Sequence, residues 1–250
     1  MTIPGSIIIE YFLVFMRVST CLMLMPGFSA VQIAVRIRLF VAIGISFSIF
    51  LLVQGQLGLN ELPSVGRLVI LSANELFIAM ILVVPVRFMF LALSFLGEVT
   101  TQIIGLNPIP GTPLADDQSS TVLSGLFNVT AVVLFFSTGL HLSFIVALAN
   151  SFILFPPGNL PSISVFVELS AANLDAYFNT VVRLGAPIVI YAIILNLIAG
   201  LVNKLTPQVP IYFVSTPFLI CGGLVLLTWI GDDILLLFIK EVEQIVARML

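Results

Sequence analysis

Six long apolar runs set the terms on which this chain can fold. They lie at about 7–25, 37–53, 68–96, 121–155, 184–203 and 211–239 of a 250-residue sequence. A helix that crosses a bilayer needs about 20 apolar residues, so most of these runs are long enough and 37–53 is marginal. Only 8% of the residues are charged, where a soluble domain carries about 25%. Together with a mean hydropathy of +1.24, this makes the chain an integral membrane protein. β-strand signals are few, so the expected fold is all-α, with about six apolar helices.

Several other classes drop out early. A net charge of −3 comes with no basic patch, which argues against a nucleic-acid partner. Cys21 and Cys221 sit inside apolar runs and read as small buried hydrophobes, with no C-x-x-C and no Cys/His cluster beside them. No cation precedes Arg17 and no small-residue cleavage pattern follows, so a cleaved signal peptide is not expected. No sequence repeat or low-complexity tract is found.

The runs are interrupted by Pro85, Pro187 and Pro217. A proline inside a helix removes a hydrogen bond and kinks the rod, and in lipid the freed carbonyls must be satisfied by protein or water. Kinked helices packed on other helices are therefore expected. The connector 156–180 contains "VFVELSAANLDAYF", whose apolar spacing suits a short interfacial helix. If the runs alternate sides, Arg36, Arg38 and Lys204 gather on one side and Arg67, Arg183, Lys240 and Arg248 on the other. Three cations against four give no orientation by the positive-inside rule. Either some runs are re-entrant, or the assembled protein does not sit as plain spans.

Polar residues within the runs are the candidate functional positions. Glu75 stands mid-run in "ILSANELFIAM", where a lone charge costs about 2.5–3.5 kcal/mol on insertion scales. Arg87 is the nearest cation on that run, but twelve residues of helix separate the two by about 18 Å. Glu75 therefore needs a partner on another helix or subunit, a water-filled cavity, or a proton. A buried assembly contact is favoured over a proton or ion site. In "SFLGEVTTQIIG", Ser94, Gly97 with Glu98, Thr101 and Gly105 recur on one helical face, flanked by Gln102. Such a small, polar face either packs closely on another helix or faces water, and close packing is the first expectation. Asn196, Gly200 and Asn203 share a face, with Lys204 at its edge, which suits interhelical hydrogen bonding. His141 is the only histidine and reads as a hydrogen-bonded packing residue, since no second ligand makes a metal site. No Ser/His/Asp set, H-E-x-x-H or phosphate loop occurs, so neither enzymatic chemistry nor a cofactor is expected.

The small, polar face runs into "GLNPIPGTPLADDQSS", residues 105–120, with three prolines and an adjacent acid pair. Composition alone leaves it open whether this stretch is a connector or a working part.

Four ordered blocks are similar to one family. "VFMRVSTCLMLMPGFSAVQIAVRIRLFVAIGIS", "NELFIAMIL", "LSFLGEVTTQIIGLNPIPG" and "AGLVNKLTPQVPIYFVSTPFLICGGLVLL" resemble, in order, the blocks of the FliR/SctT family, in its flagellar rather than injectisome branch. The last block, with its G-L-x-N-[KR]-x-x-P-Q start, is the most specific. The resemblance is collinear and covers nearly the whole chain. It implies an export-gate membrane protein of flagellar type III secretion in the bacterial inner membrane. FliP and FliQ would be its partners in the gate, with FlhB and FlhA nearby, and unfolded flagellar proteins its export substrates. It also implies kinked helical hairpins, FliP-like over 1–180 and FliQ-like over 181–250, raised partly out of the bilayer plane.

In the family, the loop between the central helices projects into the pore and helps plug it. By position that loop is 106–120, with Leu106, Pro108, Ile109, Pro110 and Leu114 as the obstructing residues. Between 106 and 120 there is no phenylalanine, although a narrow aliphatic constriction can also gate by dewetting. Ser94, Glu98, Thr101 and Gln102 would then face the conduit, while Glu75, Arg87, Asn196, Asn203 and Lys204 would serve assembly. The rival reading is a proton-coupled solute transporter that uses Glu75, Arg87 and Glu98 as coupling charges. Against it, the polar residues do not recur in two matched halves. A membrane enzyme would need a nucleophile–base pair, which the sequence lacks.

Overall fold

The computed structural model describes residues 5–29, 33–54, 62–106, 121–158, 163–206, 208 and 211–249. Among them are seven helices, α1 (Gly5–Leu24), α2 (Val35–Val53), α3 (Val65–Ile103), α4 (Val122–Ser137), α5 (Leu140–Leu154), α6 (Ile163–Leu205) and α7 (Ile211–Ala247). No strand occurs among the described residues. Five of the helices are long and apolar enough to cross a membrane, or six if the bent pair α4 and α5 counts as one span. The chain is an all-α membrane protein.

Two boundaries differ from the expectation. The run 121–155 divides into two helices at Gly139, whose φ of 75° belongs to the left-handed region that favours glycine. The expected interfacial helix over 165–178 does not stand alone, because α6 runs unbroken for 43 residues from Ile163 to Leu205. No glycine or proline falls between Ile163 and Leu184, so nothing local stops the helix where the interfacial segment was expected to end. The helices α3, α6 and α7 also continue through Pro85, Pro187 and Pro217.

The chain divides into two compact units. The first comprises Met1–Phe88, Phe135–Leu174 and Val242–Leu250. In it α2 packs on α1 and on α5, and Tyr11 of α1 meets the edge of Phe50 of α2 at 5.7 Å between ring centroids. Leu13, Val14, Val18 and Leu22 of α1 are buried, as are Ile78, Ala79 and Val83 of α3 and Phe144, Leu148 and Phe152 of α5.

The second unit comprises Met89–Leu134 and Asp175–Glu241. Its interior holds Met89, Leu93, Leu96 and Ile104 of α3 and the residue after it, with Ala131 of α4, Ile188 of α6 and Ile234 and Phe238 of α7. Phe90 stands edge-on to Phe238 at 5.1 Å, a favourable geometry for the ring quadrupoles. Much of the apolar surface points outward, with Phe213 83% and Trp229 85% exposed on α7. A single chain in water would not tolerate such a face, whereas lipid or neighbouring protein covers it.

Candidate functional site

Glu75 finds its partner on α1, not on its own helix. Arg17 Nε donates to Glu75 Oε2 at 2.6 Å, and both side chains are fully closed to solvent. Arg17 Nη1 donates to the carbonyl and hydroxyl oxygens of Ser151 at 2.9 and 3.1 Å, and Nη2 to the carbonyl of Phe155 at 2.8 Å. The guanidinium carbon lies 3.9 Å from the centre of the Phe152 ring, a cation–π contact. Four hydrogen bonds thus use four of the five donors that guanidinium carries. The bonded carbonyls belong to the C-terminal end of α5, where the macrodipole favours a cation, and the Ser151 carbonyl accepts the Phe155 N–H at 2.9 Å as well. One side chain therefore joins α1, α3 and α5. Glu75 Oε1 is buried with no hydrogen-bond partner among the described residues.

The base of the 105–120 loop is built differently. Gly105 takes a φ of 79°, its N–H bonds to the Gln102 carbonyl, and the Leu106 N–H bonds to the Thr101 carbonyl at 3.0 Å. This pair of bonds across a left-handed glycine is a Schellman cap. It ends α3 and fixes the direction in which the chain leaves. On the other flank, α4 begins at Val122 and packs against α3 at Gly97. A Cβ on Gly97 would lie 2.7 Å from both Cα and N of Ser124, so only glycine lets the two backbones approach this closely. Asn128 Nδ2 donates to Ser94 Oγ at 3.4 Å along the same seam. The chain thereby returns from the loop onto α3 about 12 Å, or two turns, before the cap at which it left.

The small, polar face of α3 is divided by this packing. Gly97 and Thr101 turn inward: Thr101 is fully buried and its hydroxyl donates to the Gly97 carbonyl at 2.7 Å. Thr101 therefore does not face a conduit, which corrects its assignment. The steric demand of the α3–α4 contact claims that half of the face. Glu98 and Gln102 are exposed and Ser94 is half-buried. Arg87, Asn196 and Lys204 are exposed and Asn203 half-buried, so of the residues read as buried polar groups only Glu75 is closed off within the chain. Leu106 is half-buried. Pro108, Ile109, Pro110 and Leu114 lie outside the described residues.

Cys21 is buried, but Cys221 is exposed, which corrects its reading as a buried hydrophobe. His141 packs its ring on Phe136 at 4.9 Å, and its Nδ1 is buried without a hydrogen bond. It is a packing residue through its ring and not through a hydrogen bond at that nitrogen. An apolar groove of about 350 Å³ between α3 and α6 is lined by residues such as Phe95, Val99, Val182 and Ile190, and offers a reactant no polar group. Among the described residues no three His, Cys, Asp or Glu side chains gather as a metal site requires.

Two features escaped the sequence. Arg17 stood out only as one residue of a familiar block, because a partner 58 residues away leaves no local signal. The cap at Gly105 had one, a glycine after the last apolar position with Pro108 three residues on.

The model of the family described as bacterial export proteins, family 1, matches residues 8–245. The chain is 30% identical over 216 residues to the flagellar biosynthetic protein FliR of Caulobacter vibrioides, covering 86% of this chain and 85% of that one. Against the FliR proteins of Escherichia coli and Aquifex aeolicus it is 26% and 25% identical, covering 87% and 89% of this chain and 82% and 83% of theirs.

Proposed function

Because the chain belongs to the FliR family of bacterial export proteins, we propose that it is a non-enzymatic pore subunit of the flagellar type III export gate. It conducts unfolded flagellar proteins across the bacterial inner membrane, as part of the basal body. Its partners in the gate are FliP and FliQ, with FlhB and FlhA adjacent. Residues 1–180 supply a FliP-like part and 181–250 a FliQ-like hairpin. The loop 106–120 obstructs the channel at rest, and Glu98 and Gln102 face the conduit.

The observation that carries the loop's role is its base. A loop that is to block a pore must be held where it starts and where it returns. The Schellman cap at Gly105 and the glycine contact of α3 with α4 at Ser124 support that. The three prolines within 106–120 restrict the backbone, so the segment can obstruct without forming a helix.

Deleting residues 108–116 should make the assembled gate leak small ions. The test is conductance of vesicles that hold the FliP–FliQ–FliR assembly, and a conductance equal to wild type ends the channel-closing reading. Copurification tests the wider one, since absence of FliP and FliQ with this chain would sink it. The transporter alternative loses support from the site itself. Its three charges are strung along α3, with Glu75 engaged by Arg17 and Arg87 and Glu98 exposed.

A further inference from the structure

We propose that α7 sets where the obstructing loop begins, through a notch at Gly223 that receives Ile104. The inference rests on the reading that the loop closes the channel, and adds to it the part of the chain that positions the loop. Ile104 is the cap residue of α3, the last before Gly105, and it is fully buried. Gly223 is buried too. A Cβ on Gly223 would come within 3.0 Å of Ile104 Cβ and nearer still to its Cγ2.

That clash has no easy relief. The severe contact is the one with Cγ2, and isoleucine, branched at Cβ, is stiff at χ1 and does not readily swing that methyl aside, whereas the Cβ contact asks for a shift of only a few tenths of an ångström. A side chain at 223 is accommodated only if the end of α3 moves away from α7. Gly105 and Leu106 must move with it, because their N–H groups are bonded back to Gln102 and Thr101. The displacement therefore passes into the first residues of the loop.

The neighbouring glycine serves the other side of the same helix. Tyr191 of α6 donates its hydroxyl to the Phe218 carbonyl of α7 at 2.7 Å. A Cβ on Gly222 would approach Tyr191 Cζ to 2.7 Å. Gly222 admits α6 and Gly223 admits the end of α3, so α7 ties the α6–α7 hairpin to the start of the loop. Gly223 is a positioning residue, acting through Ile104.

The experiment is ion leak through vesicles holding the assembled gate, with the 108–116 deletion measured alongside. Gly223→Ala should raise the leak several-fold, toward that of the deletion. Adding Ile104→Ala to the same chain removes Cγ1, Cγ2 and Cδ1, leaves only the milder Cβ contact, and should return the leak to near wild type. In the deletion background Gly223→Ala should add nothing. A wild-type leak for Gly223→Ala overturns the proposal, and so does a leak that Ile104→Ala fails to reduce. If Gly223→Ala does not assemble, Ile104→Ala alone empties the notch; a raised leak supports the proposal and a wild-type leak overturns it. A deletion that does not leak overturns the channel-closing reading and this one with it. A leaky deletion beside a silent Gly223→Ala overturns only this one.

Discussion

Around Arg17, a guanidinium makes four hydrogen bonds to three other residues in a site closed to solvent. Around the loop base, the close contacts are glycines meeting a backbone at Ser124 and a β-branched carbon at Ile104. The first region is held by charge and the second by fit. In an apolar surround a charge has nowhere else to go, so an ionic cluster is either intact or very costly to open. A glycine contact has no such threshold, since one methyl group shifts it and a smaller partner restores it. A part of the chain that must stay fixed suits the first kind of contact, and a part that must be set and reset suits the second.

The largest test of this contrast is Arg17→Ala. It leaves Glu75 as an uncompensated buried carboxylate, at a cost of about 3–5 kcal/mol. Thermal unfolding of the detergent-solubilised protein measures it. The double variant Arg17→Met/Glu75→Leu should lose clearly less, because neither charge is then stranded. Equal losses in the single and the double variant would mean that packing, not charge, holds α1, α3 and α5 together.

Next comes Gly97→Val, which forces α3 and α4 apart at Ser124 and should cost about 1–3 kcal/mol, as overpacked sites do. A valine tolerated there without loss of thermal stability would show that the two helices yield freely. Gly105→Ala is smaller, about 1–2 kcal/mol for an L residue held in the left-handed region. Its effect should appear as protease cleavage at the end of α3 before any change in global unfolding. The smallest effect is that of Glu98→Gln, an exposed position, which should leave stability unchanged. In the loop-deleted gate it should lower the preference for cations over anions, and an unaltered permeability ratio would take Glu98 off the conduit wall.

Class and element type were legible before any coordinates, because they follow from short-range properties. Apolar runs of about 20 residues in a chain with 8% charge leave helices as the economical way to satisfy the backbone in lipid. That Arg87 cannot pair with Glu75 along one helix was legible too, from the rise per residue alone, which left a partner elsewhere, a water-filled cavity or a proton. The length of α6 is not legible, because the apolar spacing of 165–178 looks the same in an isolated interfacial helix and in the first turns of a long one. The split at Gly139 is not legible either, because a glycine within an apolar run is compatible with both a continuous and a broken helix.

By itself, then, the sequence determined a membrane-spanning helical chain, an acid within an apolar run that needs a partner off its own helix, a water-filled cavity or a proton, and a proline-rich loop after a small, polar helical face. Only the tertiary structure decided that the cation is Arg17, 58 residues away, and that Thr101 belongs inside while Glu98 and Gln102 stay outside. It alone put Gly223 against Ile104. Hydropathy, capping and helical spacing are read within a few turns of one helix, whereas which side of that helix is covered depends on what another segment brings to it.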